Sequence, residues 1–154
     1  MSIAVDIHRD KREVIAAGFD RVATLMDDLP ATLAHFPSLD ALDPLGSDRY
    51  HWKLAPLGPV THRIRIDFAT AFKVERHKGE IHFEPVKGLG SAAIGGRIHL
   101  APVDGARTQV QMTIKGRVHV PISFLLKPIA APIVAREFNG LVDGFVANLQ
   151  RAHL

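Results

Sequence analysis

Apolar and polar residues alternate along two long segments of this chain, 60–76 and 107–120. Shorter segments, 49–57 and 93–103, follow the same period of two. Strand side chains point to opposite faces in turn, so this pattern gives each strand one apolar and one polar face. A sheet with one wet face is typically antiparallel, because parallel strands are covered on both sides. We therefore expect an antiparallel sheet with a single core face.

The last 30 or so residues change to a helical period. Their apolar positions recur at intervals of three and four, which indicates a helix with one buried stripe. The stripe comprises Ile129, Ile133, Val134, Phe138, Leu141, Val142, Phe145 and Leu149. Because proline disrupts a helix interior, we expect the regular helix to begin near Pro132 and residues 122–131 to form a separate bent turn.

The N-terminal part predicts one strand followed by two short helices. Residues 3–17 alternate at their start, but the charged residues 9–13 interrupt the pattern and predict a bulge or a turn. Helical spacing begins at Phe19 and stops at Pro30, which can also start the next helix. That second helix should end at Pro37.

Turn signals divide the rest of the chain. Residues 39–45 form a candidate edge strand, and Asp104-Gly105 is a strong hairpin signal between two alternating segments. The other predicted turns or connections are Gly46-Ser47-Asp48, His77-Lys78-Gly79 and Gly88–Gly90. Together these features predict about seven strands.

This order of elements resembles the START-like superfamily, also called SRPBCC, which includes Bet v 1 allergens, polyketide cyclases and aromatases, and coenzyme Q-binding proteins. The resemblance rests on residues 14–37 (VIAAGFDRVATLMDDLPATLAHFP), on the strand series 50–120 and on the terminal helix. It implies an α+β helix-grip fold, in which a curved antiparallel sheet wraps the C-terminal helix, with residues 1–154 as one domain. It also implies an apolar cavity of the kind used for lipids, polyketides, hormones or quinones.

The same cavity follows from the predicted geometry, because a curved sheet is wider than one helix can fill. Gly96 and Gly116 fall at inward positions, where a missing side chain should leave space. The inward strand positions and the helix stripe then predict the lining of an apolar binding site. The predicted lining residues are Tyr50, Trp52, His62, Ile64, Ile66, Phe68, Thr70, Phe83, Ile98, Thr108, Val110, Met112, Ile114, Phe138, Val142 and Phe145.

Polar groups among these residues leave the function open. His62, Thr70 and Thr108 could contact a ligand, or could be core residues bonded to the backbone. We expect a binder or carrier of an apolar small molecule first, with no catalytic residue. A cyclase or aromatase-type enzyme is the alternative, and His62 is then the one candidate for a base in the cavity.

Composition excludes several other functions. The chain has no cysteine, which removes disulfides and thiolate metal sites. Its net charge is +3 with scattered cations, so a nucleic-acid partner is not expected. The nine histidines show no ligand spacing, and we expect neither a metal nor a cofactor.

The most apolar segment, 118–134, is too short and too rich in proline to span a membrane, so no integral membrane association is expected. With no signal-peptide segment at the N-terminus, we expect a cytoplasmic location. A third functional reading remains, in which residues 122–134 form an exposed patch for a partner, a membrane surface or a homodimer contact.

Overall fold

The computed structural model describes residues 2–57 and 63–152 of the chain. The described residues form seven strands and three helices. Their bounds are β1 Ile3–Ile15, α1 Phe19–Asp27, α2 Leu29–Leu33, β2 Leu39–Gly46, β3 Arg49–Leu54, β4 Asp67–Glu75, β5 Glu80–Gly90, β6 Ala92–Asp104, β7 Arg107–Val120 and α3 Lys127–Arg151. Two short 3-10 turns, Arg76–Lys78 and Phe124–Leu126, precede β5 and α3.

All seven strands belong to one antiparallel sheet with the order β1-β7-β6-β5-β4-β3-β2. β1 and β2 are the two edges, and α3 packs over the core face, most closely against β1 and β7. The prediction of a curved antiparallel sheet around a long C-terminal helix, with two short helices after the first strand, is confirmed.

The prediction of a bulge or turn at residues 9–13 is wrong. β1 pairs with β7 in one unbroken register from Ile3 to Ile15. The pattern loses its apolar residues here because Arg9 reaches Asp143 of α3, with two hydrogen bonds of 2.9 and 2.8 Å. At this edge of the core an ion pair replaces an apolar contact.

The long strand predicted over residues 60–76 is shorter in the structure, where β4 begins at Asp67. Residues 58–62, including the start of the predicted strand, lie outside the described part. A single bridge joins Leu57 to Ile64 through backbone hydrogen bonds of 2.8 and 2.7 Å. β3 and β4 therefore pair continuously only from Arg49 and Ala71 to Lys53 and Asp67.

Gly88–Gly90 was predicted as a connection after β5, but β5 continues to Gly90. Thr70 pairs with Pro85 and Phe68 pairs with Gly90. Residues 86–89 therefore lie opposite Ala69 alone and bulge out of the ladder. Gly90 has φ +79°, and a Cβ there would lie 2.2 Å from the Asp67 carbonyl oxygen. Only glycine permits this close approach of the two strands.

The terminal helix begins at Lys127 rather than near Pro132, and the turn Phe124–Leu126 leads directly into it. Pro128 occupies the first turn, where its missing N–H has no intrahelical acceptor to lose. Pro132 is inside the helix but exposed, so its cost is one lost bond to the Pro128 carbonyl. The length of the apolar stripe outweighs that cost.

The stripe itself differs at its N-terminal end. Ile129 is exposed and Ile133 is half-buried, whereas Ala130 and Val134 are buried. Neighbouring helix positions are about 100° apart, so placing Ala130 against the core turns Ile129 toward solvent. The remaining members of the predicted stripe are buried as expected.

Candidate functional site

Aromatic rings form a continuous cluster between the sheet and α3. Phe36, which follows α2, stacks on Phe145 at 4.2 Å and meets Trp52 edge-on at 5.0 Å. Trp52 stacks on Phe68 at 5.4 Å, and Phe68 lies 5.9 Å from Phe138 of α3. Such contacts add about 0.5–1.5 kcal/mol per pair beyond the area that they bury. The cluster therefore joins two strands, β3 and β4, the α2–β2 segment and α3 in one interior.

A small, partly open cavity lies within this cluster, with a volume of about 20 Å³. Its walls come from β3 to β7, from α3 and from the segment after α2. The lining residues are Phe36, Trp52, Phe68, Phe83, Ile94, Met112, Ile114, Phe138, Leu141 and Val142. Pockets for small molecules are usually about 300–1,000 Å³. A drug-sized guest would therefore have to displace lining side chains.

The predicted space beside Gly96 and Gly116 does not exist, and that prediction is wrong. A Cβ at Gly96 would lie 2.1 Å from the Thr113 carbonyl oxygen and 2.7 Å from the Phe83 ring. At Gly116 it would lie 2.8 Å from Cδ1 of Ile94. Neighbouring groups have moved into the room that each glycine leaves, because close packing recovers dispersion energy.

The buried polar groups near the cavity are satisfied internally. The Trp52 indole N–H donates to Thr70 Oγ1 at 2.8 Å, and Thr108 Oγ1 donates to the Ala17 carbonyl at 2.8 Å. Both threonines are buried. Burial raises the pKa of Tyr50 above its usual value of 10.0. Among the described residues that line the cavity, none is ionisable.

Seven of the predicted lining residues surround the cavity. They are Trp52, Phe68, Phe83, Met112, Ile114, Phe138 and Val142. Their place follows from the alternation of the strands and from the stripe of α3. Whether any of them binds a ligand stays a prediction.

The other predicted lining residues lie elsewhere. Tyr50, Ile66, Thr70, Val110 and Phe145 are buried in the core without lining the cavity. Ile98 lines a second void of about 10 Å³ between α1 and the sheet, Thr108 bonds to the segment before α1, and Ile64 is half-buried. His62 lies outside the described residues.

Three lining residues were missing from the predicted site: Phe36, Ile94 and Leu141. Two of them carried a usable signal. Ile94 shares the alternation of Ile98, and Leu141 lies one turn from Phe138 in the same stripe. Phe36 fell in the predicted second short helix, and only the strands and α3 were expected to line the cavity.

Two of the described histidines bond to neighbouring carboxylates away from the cavity. His51 contacts Asp67 at 2.8 Å, and His82 contacts Glu80 at 2.8 Å. The hydrogen bond from His82 lowers the pKa of Glu80. Within residues 2–57 and 63–152, no three His, Cys, Asp or Glu side chains are arranged to hold a metal ion.

The segment 122–134 is divided between core and solvent. Phe124, Leu125, Leu126 and Ile129 are exposed and form what we call the apolar tip, at the start of α3. Ala130 and Val134 are buried. Among the described residues no helix is long and apolar enough to cross a bilayer.

No family model matches the sequence, and no curated protein matches it either. Solved structures do resemble it. A conserved protein from Geobacillus kaustophilus aligns with TM-score 0.67 at 16% identity, over 94% of this chain and 93% of that one. A START superfamily protein from Mycobacterium smegmatis aligns with TM-score 0.62 at 14% identity, over 94% of this chain and 97% of that one.

The Zhui aromatase/cyclase from Streptomyces sp. R1128 is also similar, with TM-score 0.59 and 14% identity over 95% of this chain and 94% of that chain. At identities this low the likeness concerns the fold and carries no activity with it. The chain has a START-like fold, which agrees with the resemblance seen in the sequence.

Proposed function

We propose that this START-like protein binds an apolar small molecule between the sheet and α3, as a carrier rather than an enzyme. The observation that carries the proposal is the small cavity lined by ten apolar and aromatic side chains between the sheet and α3. A site of this composition binds by burial of apolar surface, at about 25 cal/mol per Å². The preferred ligand is therefore hydrophobic, with few groups that need hydrogen bonds.

The lining supports a carrier more than a catalyst. Proton transfer needs an acid or base within hydrogen-bond reach of the reacting atom. Among the described lining residues there is no such group, and the Trp52 N–H is already bonded to Thr70. A guest in this cavity would meet only carbon-rich surfaces and one occupied donor.

Space for the guest must come from movement of side chains. The interior is nearly filled, because its void is only about 20 Å³. A void of this size lowers the free energy of unfolding by only about 0.5 kcal/mol. Phe36 is the lining residue that no described helix or strand contains, because it lies in the short segment between α2 and β2. It packs on Phe145 and Trp52 but belongs to neither the sheet nor α3. We propose that outward rotation of Phe36 admits the ligand.

Native mass spectrometry of the purified protein tests the proposal. We expect a non-covalent adduct of a few hundred daltons that is lost on denaturation and is recovered in an organic extract. The matched control is Leu141→Phe, which adds side-chain volume inside the cavity and should reduce the adduct. Absence of any adduct, with lipid or aromatic compounds added back, would count against the proposal.

A cyclase is the second candidate, favoured by the aromatase/cyclase among the similar structures. It requires a base at the cavity, and His62 is the sequence-based candidate, outside the described residues. Incubation with a synthetic poly-β-keto thioester, followed by ultraviolet absorbance of the aromatic product, separates the two. The carrier proposal expects no acceleration of ring closure. Acceleration that is lost in His62→Gln would favour the cyclase.

A further inference from the structure

We propose that the apolar tip docks the protein onto the surface of an anionic lipid bilayer. The tip joins the end of β7 to the start of α3, and its four apolar side chains face solvent beside a cationic stretch of the chain. This inference goes beyond ligand binding and does not depend on it. A lipid headgroup layer matches both properties, because it offers an apolar boundary beneath negative charge.

The exposure of the tip is unusual for large apolar residues. Leu125 has 84% of its surface exposed, Phe124 68% and Ile129 66%. The other exposed large apolar residues among those described, such as Leu45 and Val103, lie singly on separate strands. Isolated exposed residues are common, whereas a cluster on one turn indicates a contact surface.

Charge favours a bilayer as the occupant. From residue 85 to residue 136 the chain carries seven Lys and Arg residues and one acidic residue, Asp104. Asp104 is in the β6–β7 hairpin, at the opposite end of the sheet from the tip. Its carboxylate is also paired with Arg107 at 2.8 Å. Arg107 shares that hairpin, and Arg117 is paired with Asp6 at 2.8 Å. Next to the tip, residues 121–136 carry Lys127 and Arg136 and no acidic residue, so the chain is locally cationic there.

Two of these cations, Lys127 and Lys87, lie at the end of the sheet that carries the tip. Lys127 directly follows Leu126, and with Arg117 it lowers the pKa of Asp6, the hydrogen bond from Arg117 being the larger cause. The bulge within β5, which contains Lys87, lies just before Ser91, and the Ser91 carbonyl accepts the His119 N–H at 2.7 Å. This bulge is therefore at the end of the sheet where β7 stops. Each basic residue close to an anionic surface adds to the attraction.

The same charge disfavours a second copy of the chain as the occupant. A symmetric contact through the tip would bring the Lys127 residues of two copies together, which costs free energy at ordinary ionic strength. A bilayer containing phosphatidylserine offers the opposite charge. We therefore commit to the bilayer, and self-association through the tip becomes one of the contrary outcomes below.

Co-sedimentation with vesicles tests the docking. We expect the full chain to bind vesicles of phosphatidylcholine with 30% phosphatidylserine, and to bind pure phosphatidylcholine much more weakly. Leu125→Ser should lower the partition coefficient about tenfold, since it removes one apolar side chain from the boundary. Lys127→Gln should lower it about fivefold. Leu45→Ser, an exposed leucine away from the tip, is the matched control and should change nothing.

The absence of cysteine allows a second, local readout. Leu125→Cys and Leu45→Cys can each be labelled at a unique position with an environment-sensitive dye. We expect the emission at position 125 to shift to the blue when anionic vesicles are added. The emission at position 45 should not shift. Thermal melts of both proteins should match the wild type, because both side chains are exposed.

Three results would overturn the proposal. The first is no binding to anionic vesicles. The second is binding that Leu125→Ser leaves unchanged, which would mean that charge alone acts. The third is a dimer, seen by light scattering, that Leu125→Ser converts to a monomer, which would assign the tip to a second copy.

Discussion

The interior of the helix grip and the apolar tip use the same residue types in opposite surroundings. Phe138 and Leu141 lie against the sheet with almost no exposed surface, whereas Phe124 and Leu125 are mostly in solvent. Fewer than twenty residues separate the two pairs. The difference is one of position. The tip follows the end of β7 and precedes the part of α3 that packs on the sheet, so the sheet does not cover its side chains. Hydrophobic sequence alone therefore does not distinguish packing from contact, and mutations can.

Phenylalanine-to-alanine changes at the two places should give the largest contrast. Phe138→Ala removes a ring that packs against Phe68 and lines the cavity, so we expect a loss of about 3–5 kcal/mol in the free energy of unfolding. Phe124→Ala should stay within about 0.5 kcal/mol of wild type. Chemical denaturation measures both. Equal losses in the free energy of unfolding at the two positions would contradict the assignment of Phe138 to the interior and Phe124 to the exposed tip.

The buried hydrogen bond between Trp52 and Thr70 should give the next largest effect on the free energy of unfolding. Thr70→Val keeps the shape but removes the acceptor of the buried Trp52 N–H, so we expect a loss of about 1–3 kcal/mol. Thr70→Ser retains the hydroxyl and should lose less. Denaturation followed by the fluorescence of Trp52, the single tryptophan, reports both variants. A neutral Thr70→Val would show that this hydrogen bond contributes little to the interior.

The ion pair at the edge of the interior should contribute less. Arg9 and Asp143 join β1 to α3 with two parallel hydrogen bonds, but both side chains are about one-third exposed. A double-mutant cycle with Arg9→Gln and Asp143→Asn should give a coupling of about 0.5–1 kcal/mol, falling with added salt. A coupling near zero would leave α3 held by apolar contacts alone.

The smallest effect is expected at high pH. Burial raises the pKa of Tyr50 in the folded protein, so its neutral form is favoured there. The unfolded chain loses this proton first, and stability should therefore fall as the pH rises above about 10. Absorbance at 295 nm follows the single tyrosine directly. A midpoint at or below 10 would contradict the burial of this ring.

Much of the fold was predictable because the strands are strictly periodic. β7 has the predicted bounds, Arg107–Val120, and the Asp104-Gly105 turn lies where predicted, since turn chemistry and alternation agree there. β1 was misjudged because Arg9 looks like a break when its partner, Asp143, is 134 residues away. Long-range pairing of this kind leaves no local signal.

The candidate site was harder to predict than the fold. Seven lining residues could be predicted from the core face of the strands and the apolar stripe of α3. The size of the cavity could not be predicted, because it depends on how neighbouring side chains pack into the available space. Gly96 illustrates this point, since the Phe83 ring occupies the room that its missing side chain would leave. Phe36 was missed because the predicted lining came only from the strands and α3, whereas Phe36 was placed in the second short helix, which in the structure ends at Leu33.

The most direct test of the account is a fluorescence titration with N-phenyl-1-naphthylamine, comparing wild type with Phe36→Ala. Phe36→Ala removes the one lining ring that belongs neither to the described strands nor to α3, and so enlarges the cavity without changing a residue of either. The account predicts that wild type binds this apolar probe and that Phe36→Ala binds it about tenfold more tightly. If neither protein binds the probe while both remain folded by circular dichroism, the interior is a plain core and the carrier proposal is wrong.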